Sequence, residues 1–279
     1  MTAILKASPN QPAGLDDLSQ VRGGVMMIEL KSSEKRKAKA LLAEESPTFA
    51  HAIAEGIIEG NVYVDDFLTP ATALFRTSSG IYYVAGNPPD SGRSEWLHYL
   101  NEQRSGARFT VFSASEEWDA FLIGGLGDPL QQMERVSFFL GKEERDCGAA
   151  FAGVERFTED DLQKSANFTE KYADEYWGGA SRFLKNGFGF KVLHGGVVAS
   201  ECVTIFCSER FAEVDIATHP DYRGRGFAVS CASAFIAHAI KNRLKPRWDC
   251  DRQNRASIRL AEKLGFRPVK TYSLFVGKP

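Results

Sequence analysis

The most constraining stretch of this chain is a strand pattern that runs through a short turn, rich in glycine and arginine, into a long helix. Ala212-Glu213-Val214-Asp215-Ile216-Ala217-Thr218 has the alternation of a strand with one buried face. His219-Pro220-Asp221-Tyr222-Arg223-Gly224-Arg225-Gly226 follows at once. Ala228, Ala232, Phe235 and Ala239 then fall near one face of a helix running to about Arg243. The first amides of that helix have no partner within it and point outward, where they favour an anion. Gly224 and Gly226 let the backbone turn sharply and approach a ligand closely. Arg223 and Arg225 add mobile positive charge. Successive amides make an extended cradle, which suits a pyrophosphate better than a lone phosphate. Taken alone, the turn fits a plain strand-to-helix connection with exposed arginines equally well.

The flanking elements narrow the choice. Lys245-Pro246 is predicted to end the helix, and Arg247 to Asp251 reads as a strand. Asn254 caps a helix whose Ser257, Leu260, Ala261 and Leu264 share a face. Gly265 stops it, and Val269 to Val276 forms a last strand. Upstream, Thr158 to Asp161 has the form of a capping box, and Thr169 opens a helix expected to reach Lys185. Phe188 to Leu193, Val197 to Phe206 and Phe211 to Thr218 read as an antiparallel meander turning at His194-Gly195-Gly196.

The phrase from His219 to Gly226 closely resembles the acetyl-CoA loop of the GNAT N-acetyltransferase superfamily. Asn254 followed by Ala261-Glu262-Lys263-Leu264-Gly265-Phe266 resembles that superfamily's C-terminal motif, in the right order and at the right separation. The resemblance covers about Phe151 to Lys278. Two further phrases, Gly60 to Asp66 and Pro246-Arg247-Trp248-Asp249-Cys250, resemble a bacterial two-domain GNAT group. The fold this implies is α/β, in the α+β sense. It has two GNAT-like domains, residues 1–140 and 148–279, each a mixed, mostly antiparallel sheet flanked by helices.

The resemblance implies acetyl transfer from acetyl-CoA to a primary amine. Backbone groups of Ile216, Ala217 and Thr218 would meet the acetyl and pantetheine part. Arg223, Gly224, Arg225, Gly226, Phe227 and Ala228 would hold the pyrophosphate. Asn254 would bond to the pantetheine or pyrophosphate region, or would only cap its helix. An amine with a pKa near ~10.4 arrives as ammonium and must lose a proton. Glu213 and Asp215 lie on one side of their strand, where a carboxylate near the acetyl group attracts the ammonium and relays its proton through water. Glu213 ranks first, as superfamily bases often lie near the start of this strand. For each of the two, a structural pairing with Arg or Lys is an equally good reading. Glu201 is a weaker candidate. Many GNAT proteins place an acidic tyrosine four residues before the Gly-Phe pair, but here Ala261 occupies that position. Ser257 could hold a water nearby, Tyr222 and Tyr272 have no readable direction, and Tyr272 is expected to pack. His219 is expected to be structural.

At 279 residues the chain has room for a second unit ahead of this one. Residues 1–24 read as a lead-in, Glu34 to Glu45 as a helix, and Pro47 as the start of another. Asn61 to Val64, Ala73 to Arg76 and Ile81 to Gly86 make a meander. A helix, a strand and a helix follow between Glu95 and Ile123, and Gln132 to Leu140 closes the unit. The polar run after Leu140 is taken as a linker. This first unit repeats the opening order of a GNAT domain without its acetyl-CoA loop. It is read as a degenerate half that shapes the substrate cleft or mediates association, for which a homodimer is the expected form. Trp96, Trp118 and Trp177 are expected in the core. Gly86 to Ser94 imitates a phosphate loop, but its spacing is off by one residue and two prolines remove amides. Asp65 and Asp66 read as a solvated strand end.

Thirty-four basic residues against 36 acidic ones argue against a nucleic-acid partner. The sequence contains no apolar run of membrane-span length and no signal-peptide core, so the expected location is the cytoplasm. Five cysteines without a CxxC pair, and no HExxH, point to reduced thiols and no metal. The leading expectation is an N-acetyltransferase acting on a small-molecule amine. A protein lysine or N-terminal acetyltransferase is the alternative within the same chemistry, and a non-catalytic acyl-CoA sensor is the alternative outside it.

Overall fold

Alternating and apolar runs along the chain build twelve strands, which join in one sheet. The computed structural model describes residues 27–105, 108–127, 130–141 and 153–277. The lead-in over 1–24 lies outside the described residues, as does the expected linker beyond Gly141.

In the first half, β1 (Ile28–Glu29), β2 (Gly60–Val64), β3 (Thr72–Thr77) and β4 (Ile81–Gly86) pair antiparallel in sequence order. β4 then pairs parallel with β5 (Thr110–Phe112). The Glu34 to Glu45 run forms a 3-10 helix over Lys35–Leu41 rather than a longer α-helix. Pro47 is the N-cap of α1 (Thr48–Ala54), in which every residue is buried. Alternation along β3 and β4 divides the core between two faces. Ala73, Phe75, Tyr83 and Ala85 join the cluster that contains α1. Leu74, Tyr82 and Val84 meet Trp96 and Leu100 of α2 (Arg93–Gln103) and Trp118 and Phe121 of α3 (Glu116–Leu126). Trp96, Trp118 and Trp177 are core residues, as expected. Asp65 and Asp66 accept hydrogen bonds from backbone amides of their own loop.

β6 (Leu130–Leu140) ends the first half. The second half contributes β7 (Val154–Arg156), β8 (Gly189–His194), β9 (Val197–Cys207), β10 (Phe211–Thr218), β11 (Lys245–Asp251) and β12 (Phe266–Gly277). Thr158 makes the expected capping box at α4 (Glu159–Lys164). The helix expected from Thr169 to Lys185 is two helices, α5 (Glu170–Trp177) and α6 (Ala180–Asn186). Gly178 and Gly179 separate them with φ of 74° and 135°, values that glycine adopts without strain. α7 (Phe227–Lys241) packs on β8, β9 and β10, and α8 (Arg255–Lys263) on β11 and β12. Lys245 and Pro246 begin β11 instead of ending the helix, because Arg243 turns the chain with φ of 60°.

The sheet order is β1-β2-β3-β4-β5-β12-β6-β11-β10-β9-β8-β7. Each half therefore completes its sheet with a strand of the other. β12 enters between β5 and β6, and β6 enters between β11 and β12. The arrangement is reciprocal. β4 and β5 are parallel and β12 runs antiparallel beside them, as β10 and β11 are parallel with β6 antiparallel beside them. The strands of both halves belong to one sheet. The fold is thus a mixed, mostly antiparallel sheet flanked by helices. Among the described residues no helix is long and apolar enough to cross a membrane.

Candidate active site

β10 and β11 pair only at their starts, where Phe211, Ala212 and Glu213 face Lys245, Pro246 and Arg247. β10 continues to Thr218 and β11 to Asp251 without further pairing between them. The strands part, and a groove of about 1290 Å3 opens between Val214 to Thr218 on one wall and Trp248 to Asp251 on the other. The turn after β10 and the first residues of α7 close one end. There Gly226 caps α7 with φ of 87°, and Gly224 has φ of 74°. A side chain on either would meet nothing within 4 Å, so packing does not call for glycine here. The positive φ does, and it keeps the cradle bare. The first α7 amide to reach Gly226 O is that of Ser230, so the amides before it have no partner within the helix.

A second cavity of about 220 Å3 shares β10 and β11 with the groove, at the ends where these strands begin. Glu213, Arg247, Lys270 and Tyr272 line it, with aromatic walls that include Phe49, Phe112 and Phe206. Arg135, Trp248 and Asp249 line both spaces and so mark where they meet. Asp249 is held there from two sides. Arg135, on β6, pairs with its Oδ1 at 2.5 Å, and Tyr272, on β12, donates to its Oδ2 at 2.7 Å. Burial raises the Asp249 carboxyl above its ordinary range, and Arg135 and Tyr272 pull against that shift. Burial, then the charge of Asp249, pushes Glu213 up to about 7, against the lowering effects of Thr48, Arg247 and Arg135. Two buried carboxyls, both raised above their ordinary range and lining the inner cavity up to the shared junction, can exchange a proton with a bound group.

A family model described as GNAT acetyltransferase matches residues 39–275. The chain belongs to this family of acetyltransferases. It is 40% identical over 256 residues to a Bacillus subtilis (strain 168) protein called "Uncharacterized N-acetyltransferase YdfB", covering 90% of this chain and 98% of that protein. Its fold is similar to that of a GCN5-related N-acetyltransferase-like protein from Streptococcus suis 89/1591, with a TM-score of 0.67 at 23% identity over 89% of this chain and all of the other. It is also similar to a tandem GNAT protein from the clavulanic acid biosynthesis pathway, with a TM-score of 0.59 at 13% identity over 91% and 99% of the two chains.

Within this GNAT acetyltransferase, the residues singled out in the sequence separate into groups. Ile216, Ala217, Thr218, Arg223, Gly224, Gly226, Phe227, Ala228 and Asn254 all line the groove. Arg225 does not. Its Nη2 lies 3.1 Å from His194 Nε2, and its guanidinium stacks near Tyr222 and Phe227. Asn254 accepts from the Ser257 amide at 3.1 Å, so it caps α8 while lining the groove. Glu213 and Asp215 alternate with buried Ala212 and Val214 as expected, yet Glu213 lines the inner cavity and Asp215 the groove. Asp215 accepts from Tyr172 at 2.9 Å. Burial raises its carboxyl, and the Tyr172 bond opposes the rise. Glu201 is engaged by Ser165 and Asn167.

Tyr272 packs against Phe112 as expected, and in addition turns its hydroxyl to Asp249 at the junction. Ala261 is fully buried and lines neither cavity, and Ser257 Oγ accepts from Trp248 Nε1 at 2.8 Å. His219 accepts from the Asp221 amide through Nδ1, a structural use. Sequence reasoning missed Arg135, Arg247 and Asp249. The one signal was in β11, where charges at 247 and 249 alternate with apolar residues. No group of three or more metal-ligating side chains occurs among the described residues.

Proposed function

We propose that this acetyltransferase binds acetyl-CoA in the outer groove and acetylates the primary amine of a small molecule held in the inner cavity. The meeting of the two spaces at Asp249 carries this reading, since it allows a thioester from one side and an amine from the other to come together. The bare glycine turn and the unpartnered amides at the start of α7 suit a pyrophosphate. Arg223 adds charge at the groove, and Ile216 to Thr218 offer a strand edge along which a pantetheine arm can run.

In the proposed reaction the ammonium gives a proton to the Glu213–Asp249 pair. Glu213 takes it, because Arg135 and Tyr272 hold Asp249 toward its ionised form. The freed nitrogen attacks the thioester carbonyl carbon, a carbon–nitrogen bond forms and the carbon–sulfur bond breaks. The sulfur leaves as a thiolate, and the second proton shed by the attacking nitrogen passes to it through water. A thiol pKa near ~8.5 makes it a tolerable leaving group without a dedicated acid, which fits the alanine at 261. An inner cavity of about 220 Å3, below the roughly 300–1,000 Å3 of sites for drug-sized ligands, favours a small acceptor over a protein segment. The coupled carboxyls favour an enzyme over a passive sensor.

Release of coenzyme A thiol from acetyl-CoA, followed across a panel of small amines and a lysine peptide, tests the proposal. Amine-dependent release with a small acceptor is expected. Release with the peptide alone would transfer the reading to protein acetylation, and binding of acetyl-CoA without release to any amine would favour the sensor.

A further inference from the structure

The charged side chains of the inner cavity do not balance. Arg108, Arg135, Arg247 and Lys270 line it, against Glu45, Glu213 and Asp249. Arg135 is paired with Asp249, and Arg108 with Glu175, which stands outside the lining. Glu45 is exposed. Lys270 donates to the backbone carbonyl of Ala114 at 2.8 Å and pairs with no carboxylate among the described residues.

Arg247 is the more telling of the two remaining cations. It is 5% exposed. Its Nη1 donates to Ser46 O at 2.7 Å and lies 3.4 Å from Thr48 Oγ1. Its guanidinium lies over the Phe211 ring at 3.4 Å. Among the described residues, Nε and Nη2 have no hydrogen-bond partner. These two nitrogens form one edge of the guanidinium, a two-donor fork whose spacing matches the two oxygens of a carboxylate. A buried charged fork without an acceptor is costly, and native proteins rarely leave one unused. Burial lowers the Arg247 pKa to about 10, which leaves it charged at neutral pH.

Arg247 and Asp249 are two apart on β11, so their side chains leave the same side of the strand about 6.6 Å apart. One faces the inner cavity, the other the junction. We infer that the acceptor carries a carboxylate as well as its primary amine, and is thus a small amino acid: the amine sits at Asp249 and the carboxylate on the free edge of Arg247, with Lys270 adding charge. This rests on the function proposed above, with which it shares the cavity. The excess of positive side chains disfavours a polyamine or an amine without an anionic group, because such a ligand brings no anion of its own to set against Arg247 and Lys270.

The test compares α-, β- and γ-amino acids with their carboxamides and their decarboxylated amines, by thiol release and by the rise in Tm each gives in the presence of coenzyme A. At least one amino acid should exceed both of its uncharged counterparts by tenfold or more in kcat/KM, and should raise Tm where they do not. Lys270→Met should raise KM for that amino acid severalfold, leave kcat nearly unchanged and narrow its advantage over the carboxamide. Arg247→Gln should abolish the advantage; if it fails to fold, Lys270→Met alone decides. Equal or better turnover of the decarboxylated amines would overturn the inference while leaving small-amine acetylation standing. If no amine is turned over, the function proposed above fails, and the Tm comparison still judges this one: equal shifts for amino acid and carboxamide, or none, overturn it. An advantage unchanged in both variants also overturns it, and would mean that the free edge serves Glu213 through water.

Discussion

The Tyr272 hydroxyl donates a 2.7 Å hydrogen bond to Oδ2 of Asp249, tying the last strand of the chain to the strand that walls the groove. This bond lowers the Asp249 pKa against the effect of burial. Tyr272→Phe should therefore let the Asp249 pKa rise. The acid limb of the rate profile should move to higher pH, so activity falls most on the acid side and recovers as pH rises. A loss equal at every pH would mean that Tyr272 only packs.

If Glu213 takes the amine proton, Glu213→Gln should lower kcat at least tenfold near neutral pH and leave acetyl-CoA affinity largely intact, since positioned bases contribute roughly 10²–10⁴-fold. The defect should shrink at high pH, where free amine is abundant. Asp215→Asn, which disturbs the Tyr172 pair, should cost stability without that pH dependence. The same glutamate also affects folding. Its pKa rises from 4.5 to about 7 in the folded chain, so the folded state holds the extra proton between those values, and stability falls as pH rises through that window. Glu213→Gln should accordingly gain more Tm relative to the parent protein at pH 8 than at pH 5. Thermal scans at the two pH values check it.

Acetyl-CoA should raise Tm, because a ligand that binds only the native state stabilises it. Arg223→Glu with Arg225→Glu should remove that gain and leave the unliganded Tm within about a degree or two, as both side chains are exposed. Of the single variants, Arg223→Glu should be the more damaging. Arg223 lines the groove, whereas Arg225 is drawn toward His194. Isothermal titration of each variant ranks them.

Ala261 is 0% exposed on the inner face of α8. Ala261→Phe should overpack the core at a cost of roughly 1–3 kcal/mol, and the remaining folded protein should bind acetyl-CoA with nearly unchanged affinity. A large loss of affinity at an unchanged Tm would place this position beside the thiol instead.

Local features were legible in the sequence because their causes are local. The bounds of β10, the Gly226 entry to α7, the Asn254 cap and the Thr158 capping box all follow from side chains within a few residues of each other. The sequence also held the Gly178-Gly179 break between α5 and α6, which the apolar pattern on either side obscured. The exchange of β6 and β12 was not legible. Both strands show ordinary alternation, and no residue in either states which partner it will pair with. For the same reason the site was half visible. The groove residues read from sequence fall mostly in one segment, Ile216 to Ala228, but the junction gathers Arg135, Asp249 and Tyr272 from three strands whose neighbourhood is fixed only by the sheet order.

The position of β12 also sets an order of events during synthesis. β5 lacks its antiparallel neighbour until residues 266–277 exist, and β6 lies between two strands made more than a hundred residues after it. The first half must therefore wait with an open sheet edge, unlike an early domain that folds as it emerges. Pairings so distant in sequence slow folding and expose that edge to wrong partners. The chain thus matures all at once and late, and a message cut short near its end yields two unfinished sheets rather than one sound half.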